Sequence, residues 1–265
     1  MNIVETRELS RRFREVLAVD RVTMSIAAGE TFGLLGPNGA GKTTVIKMLT
    51  TMLPPTTGDA AIAGFDVTHE SEQVRRLIGY VPQMISVDGA LTALENLQVF
   101  ARLYDVPRSE RSRRIDDALE LVGLASEAHR LVRTYSGGMI RRLEIAEAML
   151  HRPPMLFLDE PTVGLDPIGR EAVWDRIEQV RAELGTTILL TTHYMEEAEQ
   201  LCSRVAIMHH GRIAAVGAPG ELIAGLGVAG ATLDDVFEHY AGGKIETGGG
   251  YRDAARTRRT LRRLG

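Results

Sequence analysis

Cysteine is nearly absent: Cys202 is the single one in 265 residues. No intramolecular disulfide can form, which fits a reducing compartment, and a lone cysteine of this kind reads as a small buried hydrophobe. Long apolar runs are also missing. No stretch approaches the ~18 consecutive apolar residues of a membrane span, and the start Met-Asn-Ile-Val-Glu-Thr-Arg-Glu lacks a signal peptide's apolar core. If the protein works at a membrane, another chain is expected to supply the spanning part. A basic excess is missing too. The net charge of −4 argues against nucleic acid as the main partner. No internal repeat is visible. The 44% hydrophobic content is ordinary for a globular protein, and the length suits one large α/β domain or a core with an inserted subdomain.

What is present is concentrated in Gly36-Pro37-Asn38-Gly39-Ala40-Gly41-Lys42-Thr43-Thr44. This has the G-x-x-x-x-G-K-T spacing of a phosphate-binding loop. Glycines let backbone N–H groups turn inward around oxyanions. Lys42 supplies a point charge for the β- and γ-phosphates, and Thr43 a hydroxyl for Mg²⁺. The flanks agree. Thr31 to Leu35 reads as a short buried strand, and Val45, Ile46, Met48, Leu49, Met52 and Leu53 recur as one helix face. The loop therefore sits at a helix N-terminus, whose dipole favours anions.

The rest of the chain reads as alternating strands and helices. Val22, Met24 and Ile26 alternate with polar residues as a half-buried strand, and Ala60 to Gly64 reads as another. Ile78 to Gln83 is a strand running into a loop. From about Leu91 to Leu124 the spacing predicts two helices separated at Asp105-Val106-Pro107, and Tyr135 to Leu150 a further helix at a glycine pair. Met155 to Leu158 and Thr187 to Leu190 are continuous apolar runs, as in a parallel sheet covered on both faces. Val205 to Met208 and Ile213 to Val216 read as a hairpin. Thr232 to Phe237 resembles a capped helix start. Gly242-Gly243 and Gly248-Gly249-Gly250 mark a flexible linker, followed by an arginine-rich end.

Four motifs downstream of the loop decide the class. Tyr135-Ser136-Gly137-Gly138-Met139 places a serine and two glycines at a helix start, a second anion site. One polyphosphate rarely needs two such sites from one subunit, so the two sites are expected to serve nucleotides held by different copies. Met155 to Pro161 is an apolar strand ending in Asp159-Glu160. Gly164-Leu165-Asp166-Pro167 follows, and His193 stands directly after the Thr187–Thr192 strand. In this order the motifs resemble the nucleotide-binding subunit of ATP-binding-cassette (ABC) transporters, from Phe13 to about Val216. The family's usual signature is Leu-Ser-Gly-Gly-Gln; here Tyr135 and Met139 replace the outer residues.

The resemblance implies a P-loop NTPase (RecA-like) α/β fold. A mainly parallel sheet core would carry an N-terminal antiparallel β subdomain and an inserted α-helical subdomain. It implies an ABC ATPase domain over 1–241, with catalytic core about 1–83 and 140–216, helical subdomain about 84–139 and C-terminal helical extension 217–241, then a flexible tail over 242–265. ATP and Mg²⁺ are the implied ligands. Phe13 would stack on adenine. Asn38, Gly39, Ala40, Gly41, Lys42, Thr43 and Thr44 would hold the phosphates. Ser136, Gly137, Gly138 and Asp166 would meet the nucleotide of a second copy across a dimer seam, where Val163 stands in place of the usual Ser or Thr. Thr43, Gln83 and Asp159 (through water) would hold Mg²⁺, Glu160 would activate the attacking water, and His193 and Gln83 would sense the γ-phosphate and the water.

Tyr135 to Met139, the Arg141 to Ala146 run, Thr192 to Ala198 and Thr232 to Phe237 narrow the resemblance further. They look like drug- and polyketide-antibiotic-resistance ATPases that pair with an ABC-2-type permease. That implies an ATP-dependent homodimer at the cytoplasmic face of the membrane, with no nucleic acid partner. Other readings are a soluble ABC-type ATPase acting on ribosomes or DNA, an importer ATPase, and a degenerate cassette without turnover. The first would carry two cassettes or a long coiled-coil insertion, which this chain lacks; intact Lys42, Asp159, Glu160 and His193 oppose the last. Arg252, Arg256, Arg259 and Arg263 recur at helical spacing. They could form a basic surface helix on anionic lipid, though the preceding glycine run favours a solvated tail.

Overall fold

Two kinds of strand pattern build two sheets. The computed structural model describes residues 1–241, so the glycine linker and the arginine-rich end lie outside the described residues. The chain runs β1 (Asn2–Phe13), β2 (Val16–Ala27), β3 (Thr31–Leu35), α1 (Lys42–Leu49), β4 (Thr57–Ile62), β5 (Phe65–Asp66), α2 (Ser71–Leu77) and β6 (Ile78–Val81). It continues with α3 (Ala93–Leu103), α4 (Arg111–Leu121), α5 (Gly137–Met149), β7 (Met155–Asp159), α6 (Pro167–Leu184), β8 (Thr187–Thr192) and α7 (Met195–Leu201). It ends with β9 (Arg204–His209), β10 (Arg212–Gly217), α8 (Pro219–Gly225) and α9 (Leu233–Ala241).

The continuous apolar runs β3, β7 and β8 are buried at every position, as strands covered on both faces must be. They sit inside a six-stranded sheet of order β10-β9-β3-β8-β7-β6, parallel except for β10. The alternating strands form a second, antiparallel sheet of order β2-β1-β4-β5. One core cluster joins this second sheet to α1 and one face of the first through Leu9, Val19, Ile26, Ile46, Leu49 and Phe157. The other joins the opposite face to α3, α4, α5 and α6, with Leu97, Ile115, Leu119, Leu143, Val173 and Ile188 among its members. Cys202 is buried, as expected.

Local chemistry sets the helix limits. Thr92 caps α3 in a reciprocal box with Glu95. Two expected boundaries move. The first helix ends at Leu49 rather than reaching Leu53, because Thr51 adopts φ 62°; Met52 is then carried to the surface, 61% exposed. The helix read from Tyr135 begins at Gly137: Ser136 is extended, and its hydroxyl accepts from Met139 N at 3.3 Å, so the glycine pair forms the first turn. No helix among the described residues is long and apolar enough to cross a membrane.

Candidate functional site

Parallel strands β3, β7 and β8 end side by side, and their carboxyl ends carry the site, the usual place for a ligand in an open α/β sheet. The loop from Gly36 to Gly41 leaves β3 and enters α1. A side chain at Gly36 would overlap the Met208 carbonyl oxygen, and one at Gly41 (φ 106°) would lie 2.5 Å from the Ala18 carbonyl oxygen. Both positions need glycine for close backbone approach. No side chain caps α1, so its first N–H groups remain for a ligand. Asn38 and Gly39 are exposed at the loop tip, and Thr43 and Thr44 are partly buried in the first turn.

Lys42 folds back into this loop. Its Nζ donates to the carbonyls of Gly36 at 2.7 Å and Pro37 at 3.2 Å, and stands 3.1 Å from Glu160 Oε1. The other oxygen of Glu160 lies 2.7 Å from His193 Nδ1. Burial pushes the Glu160 carboxyl up, but the His193 hydrogen bond and the Lys42 charge outweigh it and hold the group below its ordinary value. Glu160 is therefore a carboxylate at neutral pH, the form a general base needs. Its backbone is strained, at φ 52°. Its N–H is held by the carbonyl and the hydroxyl of Thr191, at 3.1 and 3.0 Å.

Asp159 is the last residue of β7 and pairs in register with Thr191 of β8. Its Oδ1 accepts from the hydroxyls of Thr191 at 2.7 Å and Thr43 at 3.2 Å. Its Oδ2 is buried without a hydrogen-bond partner. The Thr43 hydroxyl and a carboxylate with one unsatisfied buried oxygen make a hard-oxygen donor set, and they fit Mg²⁺.

The structure thus brings Lys42, Thr43, Asp159, Glu160 and His193 together. It leaves other predicted residues apart. Gln83 is exposed, and its carbonyl accepts from Arg141 at 3.0 Å. Among the described residues, no hydrogen bond or ion pair links Ser136, Gly137 or Gly138 to the Lys42 group. Asp166 caps α6, accepting from Gly169 N at 2.8 Å. Phe13 is 42% exposed, not a core aromatic, and the Arg11 guanidinium lies 4.8 Å from its ring centre.

Three groups escaped the sequence reading. Thr191 looked like one more buried strand residue; its register opposite Asp159 is the missing signal. Arg141 and Glu144 form a buried ion pair at 2.8 Å on α5. Arg141 donates to the carbonyls of Pro82 (2.6 Å) and Gln83, while Glu144 Oε1 accepts from Ser86 N (2.6 Å) and Oγ (3.0 Å). The pair grips both ends of the Gln83 loop from the helix that begins at the Ser136 turn. Glu197 is the third.

Comparison with known proteins identifies a family. A family profile described as ABC transporter matches residues 19–163. The daunorubicin/doxorubicin resistance ATP-binding protein DrrA of Streptomyces peucetius is 46% identical over 224 residues, 84% of this chain and 68% of the relative. The Nod factor export ATP-binding protein I of Ralstonia nicotianae is 42% identical over 221 residues, 83% of this chain and 68% of the relative. A solved structure described as the ATP binding subunit of an ABC transporter superposes with TM-score 0.79 at 32% identity, covering 90% of this chain and 99% of its own. The chain belongs to the ABC transporter family, as an ATP-binding subunit whose domain hydrolyses ATP coupled to transport.

Proposed function

We propose that this subunit powers export through a separate membrane permease of ABC-2 type, working as an ATP-dependent homodimer on the cytoplasmic face of the membrane. The observation that carries the reading is the convergence of Lys42 and His193 on the two oxygens of Glu160, beside Asp159 and Thr43. When ATP enters, Lys42 exchanges Glu160 for the β- and γ-phosphates, with backbone amides from Asn38 to Gly41, Lys42, Thr43 and Thr44 around them. Phe13 offers a ring face to adenine, with Arg11 against the same ring. Thr43 and Asp159, with Gln83 from its loop, would hold Mg²⁺, which when bound neutralises charge on the phosphate oxygens.

Glu160 takes a proton from the attacking water. The water oxygen bonds to the γ-phosphorus, the bond to the β–γ bridging oxygen breaks, and ADP leaves with that electron pair. His193, hydrogen-bonded to Glu160, keeps the base aimed at the γ-phosphate. Ser136, Gly137, Gly138 and Asp166 of a second copy close the other side, excluding water and completing the site. The exposed Gln83 loop passes closure to the permease. Resistance and export relatives support an exporter of a drug, antibiotic or other hydrophobic compound.

The test is Glu160→Gln. It should bind ATP, accumulate as a dimer in gel filtration with ATP and Mg²⁺, and hydrolyse on the order of 10²-fold more slowly or worse. Turnover at the parent rate removes Glu160 as the base, and a monomer at saturating ATP removes the dimer. Tagged chain isolated from solubilised membranes should retain a polytopic membrane protein.

A further inference from the structure

Behind the catalytic residues lies a carboxylate with no role in binding ATP. Glu197, on α7 four residues after His193, has 0% exposure. Its Oε1 accepts from Thr162 Oγ1 at 2.7 Å and from the Trp174 indole Nε1 at 2.9 Å. The Thr192 hydroxyl and the Arg170 charge act on the same group. A buried carboxylate is costly unless polar groups surround it; those around Glu197 come from three separate places, and they leave its Oε2 without a hydrogen-bond partner. Thr162 lies two residues past Glu160. Trp174 lies on α6, beyond the Asp166 cap. Thr192 precedes His193.

These contacts close a ring. From Glu160 the chain runs to Thr162, crosses to Glu197, returns along α7 to His193, and reaches Glu160 again through the 2.7 Å Nδ1···Oε2 contact. The strained backbone of Glu160 needs such support on both sides to persist. We propose that Glu197 is a positioning residue for ATP hydrolysis: through Thr162 and Trp174 it locks the turn behind Glu160 and the middle of α6 to the helix that follows His193. The segment Val163–Asp166 lies between the two anchored points. Movement of that segment therefore reaches His193 through one carboxylate oxygen, and the base and the histidine shift as a unit.

Because the hydrogen bonds of Glu197 go to Thr162 and Trp174 and not to the phosphate loop, its loss should act on kcat and leave KM for ATP nearly unchanged. Trp174 is the only tryptophan in the chain, so its emission reports the Glu197 hydrogen bond directly. The experiment compares the full-length parent with Glu197→Gln, Glu197→Leu and Thr162→Val. The Gln variant keeps an acceptor oxygen and should retain kcat within about threefold. The Leu variant removes the acceptor; its kcat should fall on the order of tenfold to hundredfold with KM for ATP within about twofold. In the parent and the Gln variant, ATP should change Trp174 emission, and in the Leu variant it should not.

A residue that served only packing would lower Tm and the folded fraction, while the folded protein kept its kcat and its emission response. That outcome, or parent kcat in the Leu variant, overturns the proposal. If the Leu variant does not fold, Thr162→Val decides. A drop in kcat at unchanged KM supports the ring, and parent kcat overturns it.

Discussion

Lys42 and Glu160 form an ion pair at 3.1 Å, their side chains 5% and 6% exposed, at the loop proposed to bind phosphate. The lysine cannot hold Glu160 and a γ-phosphate equally well, so nucleotide binding must compete with this contact. Glu160→Gln removes the charge that competes. Its affinity for ATP, measured without Mg²⁺ by fluorescent-nucleotide titration, should exceed the parent's by roughly tenfold, the equivalent of about 1.4 kcal/mol. Lys42→Ala acts in the opposite sense: ATP affinity falls. The nucleotide-free protein also loses stability, because Glu160 stays buried with one partner gone. Equal affinity in the Gln variant and the parent would show that the pair does not restrain Lys42.

Glu147 should make the protein's stability depend on pH. It lies on α5, 2% exposed, and its Oε1 has no hydrogen-bond partner. Burial, then the charge of Glu144, push its carboxyl up to about 8. The folded state thus holds a proton that the unfolded state releases near the ordinary value of 4.5. Between these limits unfolding releases a proton, so stability falls as pH rises, by about 1.4 kcal/mol per unit at most, and levels off above the folded value. Glu147→Gln removes this dependence. Thermal unfolding should show little gain for the variant near the low end of that window and a clear gain in Tm near the high end.

Arg141 and Glu144 should restrain the Gln83 loop. Arg141→Met leaves Glu144 buried without its cation and frees the Pro82 and Gln83 carbonyls. Breaking such a buried pair costs about 3–5 kcal/mol. Replacing both residues by methionine should cost less than Arg141→Met alone, since no unpaired charge then remains. Hydrogen exchange at the Ser86 amide, bonded to Glu144 at 2.6 Å, should accelerate in either case. Unchanged exchange would mean the loop holds its shape without the clasp.

Legibility in the sequence followed the kind of signal each element carries. The phosphate loop, β3, β7 and β8 were readable because glycine spacing and unbroken apolar runs are local. The β9–β10 hairpin was readable from its turn at His210 and Gly211, both at positive φ. The strand β1 was not. Its register with β2 and β4 shifts around Glu8, at φ 46°, and charged residues such as Glu5, Arg7, Arg11 and Arg12 mask the alternation. The site divided the same way. Lys42, Asp159, Glu160 and His193 lie in motifs, but Thr191 and Glu197 matter through strand register and helix packing, which single-sequence spacing does not encode.

Thr191 is the clearest instance, and it yields the sharpest substitution. Its buried hydroxyl donates to Asp159 Oδ1 at 2.7 Å and accepts from Glu160 N at 3.0 Å. One oxygen thereby orients the carboxylate proposed to hold Mg²⁺ and the backbone of the proposed base. Thr191→Val preserves shape and deletes both bonds, while Thr191→Ser keeps them. Outer hydrogen-bond partners of metal ligands are worth roughly 10- to 100-fold in metal affinity. Thr191→Val should therefore raise the Mg²⁺ concentration for half-maximal ATPase by at least about tenfold, with Thr191→Ser close to the parent. The strained turn at Glu160 loses support as well, so kcat at saturating Mg²⁺ should also fall in the valine variant. A valine variant with the parent's Mg²⁺ dependence would mean that Thr43 and β7 alone orient Asp159.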